Sequence, residues 1–155
     1  MKLRIVALGQ RMPPWVAAGF ADYARRLPGE FALELLELKP EPRGRGRSRE
    51  QMLAAEAVRI AEATRDCTVV ALDERGEAWT TLQFAARLRA WHNASRPVAF
   101  VIGSADGLAP MTRRDAAAVL ALSALTLPHG LARVVLAEQL YRATSLLQGH
   151  PYHRS

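Results

Sequence analysis

Residues 3–8 form a short β-rich apolar run that stops at Gly9, and they read as a first strand. Pro13-Pro14 then opens a helix, where a missing N–H costs nothing. Val16, Phe20, Tyr23 and Leu27 are spaced by four, three and four, which makes one helical face, and Pro28-Gly29 stops it. Residues 31–38 read as a second strand, with Glu34 and Glu37 marking partial exposure. Ser48-Arg49-Glu50-Gln51 has the spacing of a capping box, so a helix starts there, with Leu53, Ala57, Ile60, Ala61 and Thr64 on one face. Residues 67–72 are a compact apolar run, hence a buried strand, and Asp73-Glu74-Arg75-Gly76 turns the chain. A second capping box, Thr80 to Gln83, introduces a helix with Phe84, Leu88 and Trp91 on its face. Residues 97–102 give another buried strand, residues 112–118 a short helix, residues 120–127 a fifth strand, and residues 130–148 a long amphipathic helix ended by Gly149. The alternation βαβαβαβ(α)βα predicts an α/β domain with a mainly parallel sheet covered by helices on both faces. No repeat at a fixed period and no linker divides the 155 residues, so a single domain spanning 1–155 is expected.

Half the residues are apolar and 23% are charged, which supports a packed core and argues against wholesale disorder. Lys and Arg total 21 against 15 acids, a formal charge of +6, and only Lys2 and Lys39 are lysine. A surplus carried by arginine favours a polyanionic partner, because the planar guanidinium grips phosphate with two hydrogen bonds; a GC-rich coding sequence writes the same composition. The single cysteine, Cys67, excludes an intrachain disulfide and a cysteine-based zinc site, and points to the cytosol. The N-terminal residues lack the apolar core of a signal peptide. The longest apolar stretch, residues 116–127, is too short for a membrane span and is broken by Ser123 and Thr126.

In open parallel sheets, ligands bind beyond the carboxyl ends of the strands. Three such ends carry suggestive residues: Leu72-Asp73, the segment 102–107, and the segment 125–129. The glycine loop is neither a dinucleotide fingerprint, since Ala105 and Leu108 stand where glycines would be needed, nor a P-loop, since it has no lysine. No metal set assembles from the histidines, with Pro151 between His150 and His153, and no nucleophile elbow surrounds Ser104. In the loop 39–47, Arg43, Arg45 and Arg47 alternate with Gly44 and Gly46, which reads as a phosphate-gripping arm or a solvated loop. The last helix carries Leu136, Leu140, Ala143 and Leu147 in line, with Leu131 and Val135 beside them. That apolar face is wide enough to predict a second contact surface. Arg133 and Arg142 fall on opposite sides of it.

Several segments resemble one family along the whole chain: Met1-Lys2-Leu3, Met12-Pro13-x-Trp15, Leu72-Asp73, Ile102-Gly103-x-x-x-Gly107-Leu108, the run Leu122-Ser123-Ala124-Leu125-Thr126-Leu127-Pro128-His129, Arg133, Glu138-Gln139-Leu140-Tyr141-Arg142-Ala143, and the ending His150-Pro151-Tyr152-His153-Arg154. The chain resembles the ribosomal RNA large subunit methyltransferase H family, of the SPOUT class of S-adenosylmethionine-dependent methyltransferases. One departure is Ser104, where the family's glycine pair has its second glycine.

The resemblance implies a SPOUT-type α/β fold with a C-terminal trefoil knot, a homodimer, and a cytoplasmic enzyme needing neither metal nor membrane. It implies S-adenosylmethionine held by Leu72, Gly103, Leu122, Ser123, Ala124, Leu125, Thr126 and Leu127. The implied substrate is N3 of the pseudouridine at position 1915 of 23S rRNA, on assembled 70S ribosomes. Pseudouridine N3 must lose a proton before it attacks, and His153 has an intrinsic pKa near neutrality. Arg154 or Arg142 would oppose the charge developing on the base oxygens, and Tyr152 would stack on the base. Arg133, Arg43, Arg45 and Arg47 would hold rRNA phosphates. Two rivals remain: a non-enzymatic rRNA-binding module, and a nucleotide-dependent enzyme, which the broken glycine fingerprint disfavours.

Overall fold

The structure is a computed structural model that describes residues 1–44 and 46–154, the side chains of His153 and Arg154 excepted. Five strands, β1 (Leu3–Leu8), β2 (Leu33–Leu38), β3 (Thr68–Ala78), β4 (Val98–Ile102) and β5 (Ala118–Ala121), form one sheet in the order β2-β1-β4-β3-β5, and every pair is parallel. Five α-helices connect and follow them: α1 (Pro14–Ala24), α2 (Arg49–Ala63), α3 (Thr81–Asn93), α4 (Pro110–Asp115) and α5 (His129–Leu147). The expected α/β class with helices over both sheet faces is what the chain adopts.

Alternation along the central strands explains the two-sided core. Ile5, Ala7, Val98, Phe100 and Ile102 face one way and join Leu88, Leu136 and Leu140 under α3 and α5. Val6, Leu8, Ala99 and Val101 face the other way and meet Ile60 of α2. A strand buried on both faces has no polar side, so β4 reads as an unbroken apolar run and β1 as one interrupted only by Arg4. Each fully buried Leu, Ile or Phe contributes roughly 1.5–3 kcal/mol. Both capping boxes form: Ser48 with Gln51 at the head of α2, and Thr80 with Gln83 at the head of α3.

Four sequence expectations need correction. The second strand begins at Leu33, because Gly29–Phe31 winds into a 3₁₀ turn that buries Phe31. Segment 73–76 is no turn; it continues β3 through a register shift between Leu72 and Glu77, with the Asp73 carboxylate accepting from the Arg75 backbone N–H at 2.8 Å. The short helix starts at Pro110, where proline suits the first turn. The fifth strand is therefore Ala118–Ala121, and residues 122–127 leave the sheet as a loop.

Much of α5 packs within the chain. Every residue from 130 to 147 is buried or half-buried. Close packing on α1 shows at Gly19, where an added Cβ would sit 3.3 Å from Val134. No described helix is long and apolar enough to cross a membrane.

Candidate functional site

A cleft of about 820 Å³ opens at the carboxyl edge of the sheet. Leu72 to Arg75 from β3, the 102–107 loop after β4, the 122–128 loop after β5 and the start of α5 line it. Its size is within the range of small-molecule sites. The β4 loop is wound tightly there, since a Cβ on Gly103 would fall 2.5 Å from the Gly107 carbonyl oxygen. Only glycine fits that position, and the backbone of the loop is left close to whatever occupies the cleft.

The cleft carries charge of both signs. Asp73 is nearly buried and meets Arg75 at 3.2 Å and Arg113 at 3.3 Å. Burial raises its pKa, but hydrogen bonds from the Arg75 side chain and backbone outweigh that and hold the carboxyl below its ordinary value. Glu74 accepts from the Thr126 hydroxyl, tying the β3 end to the 122–128 loop. His129, the first residue of α5, is half-buried on the cleft wall, and its Nδ1 is buried without a hydrogen-bond partner. Burial and then the Arg133 charge push its pKa down, so the ring is neutral at pH 7. The ring fits because position 9 is glycine: a Cβ there would lie 2.8 Å from His129 Cε1.

A buried carboxylate supports the β4 loop from behind. Glu56 is 2% exposed on α2 and accepts from the Ser104 hydroxyl at 3.0 Å and from the Glu41 backbone N–H at 2.9 Å. Arg43 donates to Ser104 at 2.8 Å and pairs with Asp106 at 2.8 Å. Arg49 donates to the Asp106 carbonyl at 2.8 Å.

A family model described as a predicted SPOUT methyltransferase matches residues 1–153. The chain belongs to the SPOUT methyltransferase family. It is 56% identical over 156 residues, covering all of both chains, to the ribosomal RNA large subunit methyltransferase H of Burkholderia mallei (strain SAVP1). The same figures hold for the protein of that name from Burkholderia pseudomallei (strain K96243). Among solved structures, a probable methyltransferase from Bordetella pertussis Tohama I aligns with a TM-score of 0.61 at 17% identity, over 92% of this chain and 95% of that one. A probable methylase family protein from Haemophilus influenzae Rd KW20 gives 0.59 at 18%, over 97% of this chain and 69% of that one. At such identities these two speak to the fold alone.

Of the residues this SPOUT methyltransferase was expected to turn toward a methyl donor, Leu72, Gly103, Leu122, Ser123, Leu125, Thr126 and Leu127 all line the cleft, while Ala124 is an exposed member of the same loop. Arg142 and Tyr152 are gathered elsewhere. Arg142 donates through Nε and Nη2 to one Glu138 oxygen at 3.0 and 2.8 Å, and its guanidinium lies 4.9 Å from the Tyr152 ring centroid. The Tyr152 hydroxyl donates to Glu138 at 2.9 Å, and its ring centroid is 4.4 Å from that of Tyr141. Burial and then the Glu138 bond push the Tyr152 pKa up to about 12. His153 and Arg154 continue this 3₁₀ turn by their backbone, and their side chains lie outside the described residues.

The arginines expected at phosphates divide. Arg133 is corrected: it is 1% exposed, paired with Glu37 at 2.6 Å and donating to the Gly9 carbonyl at 2.9 Å, so it is an internal brace between α5 and the ends of β1 and β2. Arg43 and Arg47 are partly exposed, Arg47 paired with Glu41 at 2.7 Å, and Arg45 lies outside the described residues. Sequence reasoning missed Glu56. Its signal was a carboxylate three residues after Leu53 and four before Ile60, on the apolar face of α2.

Proposed function

We propose that this SPOUT methyltransferase methylates N3 of a pseudouridine in the 23S rRNA of the large ribosomal subunit, using S-adenosylmethionine and acting on assembled 70S ribosomes in the cytoplasm. The full-length 56% identity to relatives named for methylation of large-subunit rRNA carries the reading. The cleft supports it. Its tight backbone loop at Gly103 and apolar walls at Leu72, Leu122 and Leu127 suit an adenosine. In this reading the whole chain works as one domain, and the loops 103–109 and 122–128 belong to a trefoil knot.

S-adenosylmethionine supplies an electrophilic methyl group. N3 must lose its proton to act as the nucleophile toward that methyl group. His153 accepts that proton, Arg154 or Arg142 opposes the negative charge on the flanking oxygens, and Tyr152 stacks on the base. Arg43, Arg45 and Arg47 hold rRNA phosphates.

Within one chain the tail packs on α5 further along than the cleft does. At 1.5 Å rise per residue, Glu138 and Arg142 lie about 9 and 15 Å beyond Ala132 along α5. Ala132 lines the cleft; Glu138 holds Tyr152. A homodimer resolves the gap: the tail of one protomer serves the cleft of its partner.

The test is transfer of tritium from labelled S-adenosylmethionine to 70S ribosomes from a strain lacking the protein, followed by mapping of the nucleotide. Label on a 23S pseudouridine is expected. Ribosome binding without label, and without binding of S-adenosylhomocysteine, would replace this reading with a non-enzymatic rRNA-binding module.

A further inference from the structure

The arginine arm and the cleft share one hydrogen-bonded web. Arg43 reaches across from the 39–47 loop and contacts the β4 loop twice, at the Ser104 hydroxyl and the Asp106 carboxylate. Arg49, at the head of α2, adds a bond to the Asp106 carbonyl and stands 3.9 Å from its carboxylate. Both ends of this web matter: Arg49, Ser104 and Asp106 line the cleft, while Arg43 is 35% exposed on the arm.

The parts of the web differ in how firmly they are held. Glu56 is buried, and its bonds to Ser104 and to the arm's backbone at Glu41 are shielded from water. The Arg43–Asp106 pair is about one-third exposed on each side, so water and salt weaken it. A phosphodiester is the better partner for a half-exposed guanidinium when several phosphates arrive together on a polyanion.

Asp106 differs from the cleft's other carboxylates. Asp73 takes its cations from Arg75 and Arg113, within its own strand and α4. Glu74 is bonded to Thr126. Among the described residues, the side-chain cations that meet Asp106 are Arg43 on the arm and Arg49 at the head of α2. Drawing those two arginines onto phosphate leaves Asp106 uncompensated on the cleft wall, while Glu56, 3.4 Å from Arg43 Nη1, keeps its bonds from Ser104 and the Glu41 N–H.

We propose that Asp106 is a positioning and selectivity residue: engagement of Arg43 and Arg49 by rRNA phosphates unmasks its charge, and the cleft then favours the cationic methyl donor over the neutral-sulfur product. The inference rests on the methyl-donor reading above and adds to it a link between RNA grip and donor choice. By thermodynamic reciprocity, the cationic ligand tightens the ribosome complex by the same factor. Ser104 and Glu56 keep the loop in register while the exposed pair exchanges partners.

Sinefungin carries an amine where S-adenosylmethionine carries its sulfonium, and it transfers no methyl group. Its affinity is compared with that of S-adenosylhomocysteine by equilibrium dialysis against the full-length protein, with and without saturating 70S ribosomes from a strain lacking it. The expected result is a sinefungin preference that rises about 5-fold or more on the ribosome. Asp106→Asn removes that rise. Arg43→Gln raises the preference in the free protein. An unchanged preference in the wild type, or a rise that survives in Asp106→Asn, overturns the proposal and leaves the methyl-donor reading standing. Failure of both analogues to bind the wild type overturns both. Asp106 is partly exposed on a loop, and circular dichroism checks that the variant is folded.

Discussion

His129 is a titratable group placed where a charge is unwelcome. Its ring is wedged between Gly9, which has no side chain to displace it, and the guanidinium of Arg133. Burial and that neighbouring cation both disfavour the protonated form, so the folded-state pKa is below the ordinary value of about 6.5. Below pH 6.5 the unfolded chain binds a proton that the folded chain refuses. The stability linked to His129 is therefore complete above about pH 6.5 and is lost as pH falls through the folded pKa. Thermal melts between pH 7.5 and 5.5 should show a steeper loss of Tm for the wild type than for His129→Gln. Parallel curves would mean that the ring titrates freely and is not held as described. Arg133 braces the same site. Its charge is buried, with the Glu37 carboxylate and the Gly9 carbonyl accepting from its two terminal nitrogens and its buried Nε left without a partner.

At the scale of elements, the bulged run of β3 decides where the cleft opens. The strand pairs with β5 before and after its register shift, and Gly76 lies in the shifted stretch directly against Val119. A Cβ at position 76 would come within 2.7 Å of the Val119 carbonyl oxygen. Gly76→Ala should push β5 away and cost about 1–3 kcal/mol, read as a lower denaturation midpoint with an unchanged m-value. A neutral substitution would show that the β3–β5 contact is looser than drawn. The same stretch marks the limit of what the sequence conveys. β1, α2, α3 and α5 were legible because their periodicity or capping boxes are local. Asp73-Glu74-Arg75-Gly76 has the composition of a turn, and only a partner strand 40-odd residues later keeps it extended. Leu120, Leu122, Leu125 and Leu127 resemble a strand, yet only Leu120 is in β5, and the last three lie in the loop along the cleft, with Leu125 76% exposed. The cleft-lining residues were reachable through strand ends and family resemblance. The web of Glu56, Ser104 and Arg43 was not, since its bonds join residues far apart in sequence.

At the scale of the whole molecule, the cleft and the tail proposed for methyl transfer meet α5 at different places, its first turn and its middle. The cleft takes in Ala132 near the helix start, and the tail returns onto Glu138 and Tyr141 further along. That distance makes a prediction about chains rather than residues. Gly103→Ala places a Cβ 2.5 Å from the Gly107 carbonyl oxygen and should spoil the cleft while leaving the tail intact. His153→Ala should leave the cleft intact and remove the proposed proton acceptor. Each homodimer is then inactive. When the two variants are unfolded and refolded together in equal amounts, half the dimers are mixed if association is random, and each mixed dimer holds one intact cleft facing one intact tail. Ribosome methylation should return to about a quarter of the wild-type rate under that pairing. If cleft and tail act within one chain, every chain in the mixture carries a defect and activity stays at the level of the separate variants. The two arrangements thus give opposite answers from the same two proteins, and size-exclusion chromatography with light scattering checks independently that the refolded species are dimers.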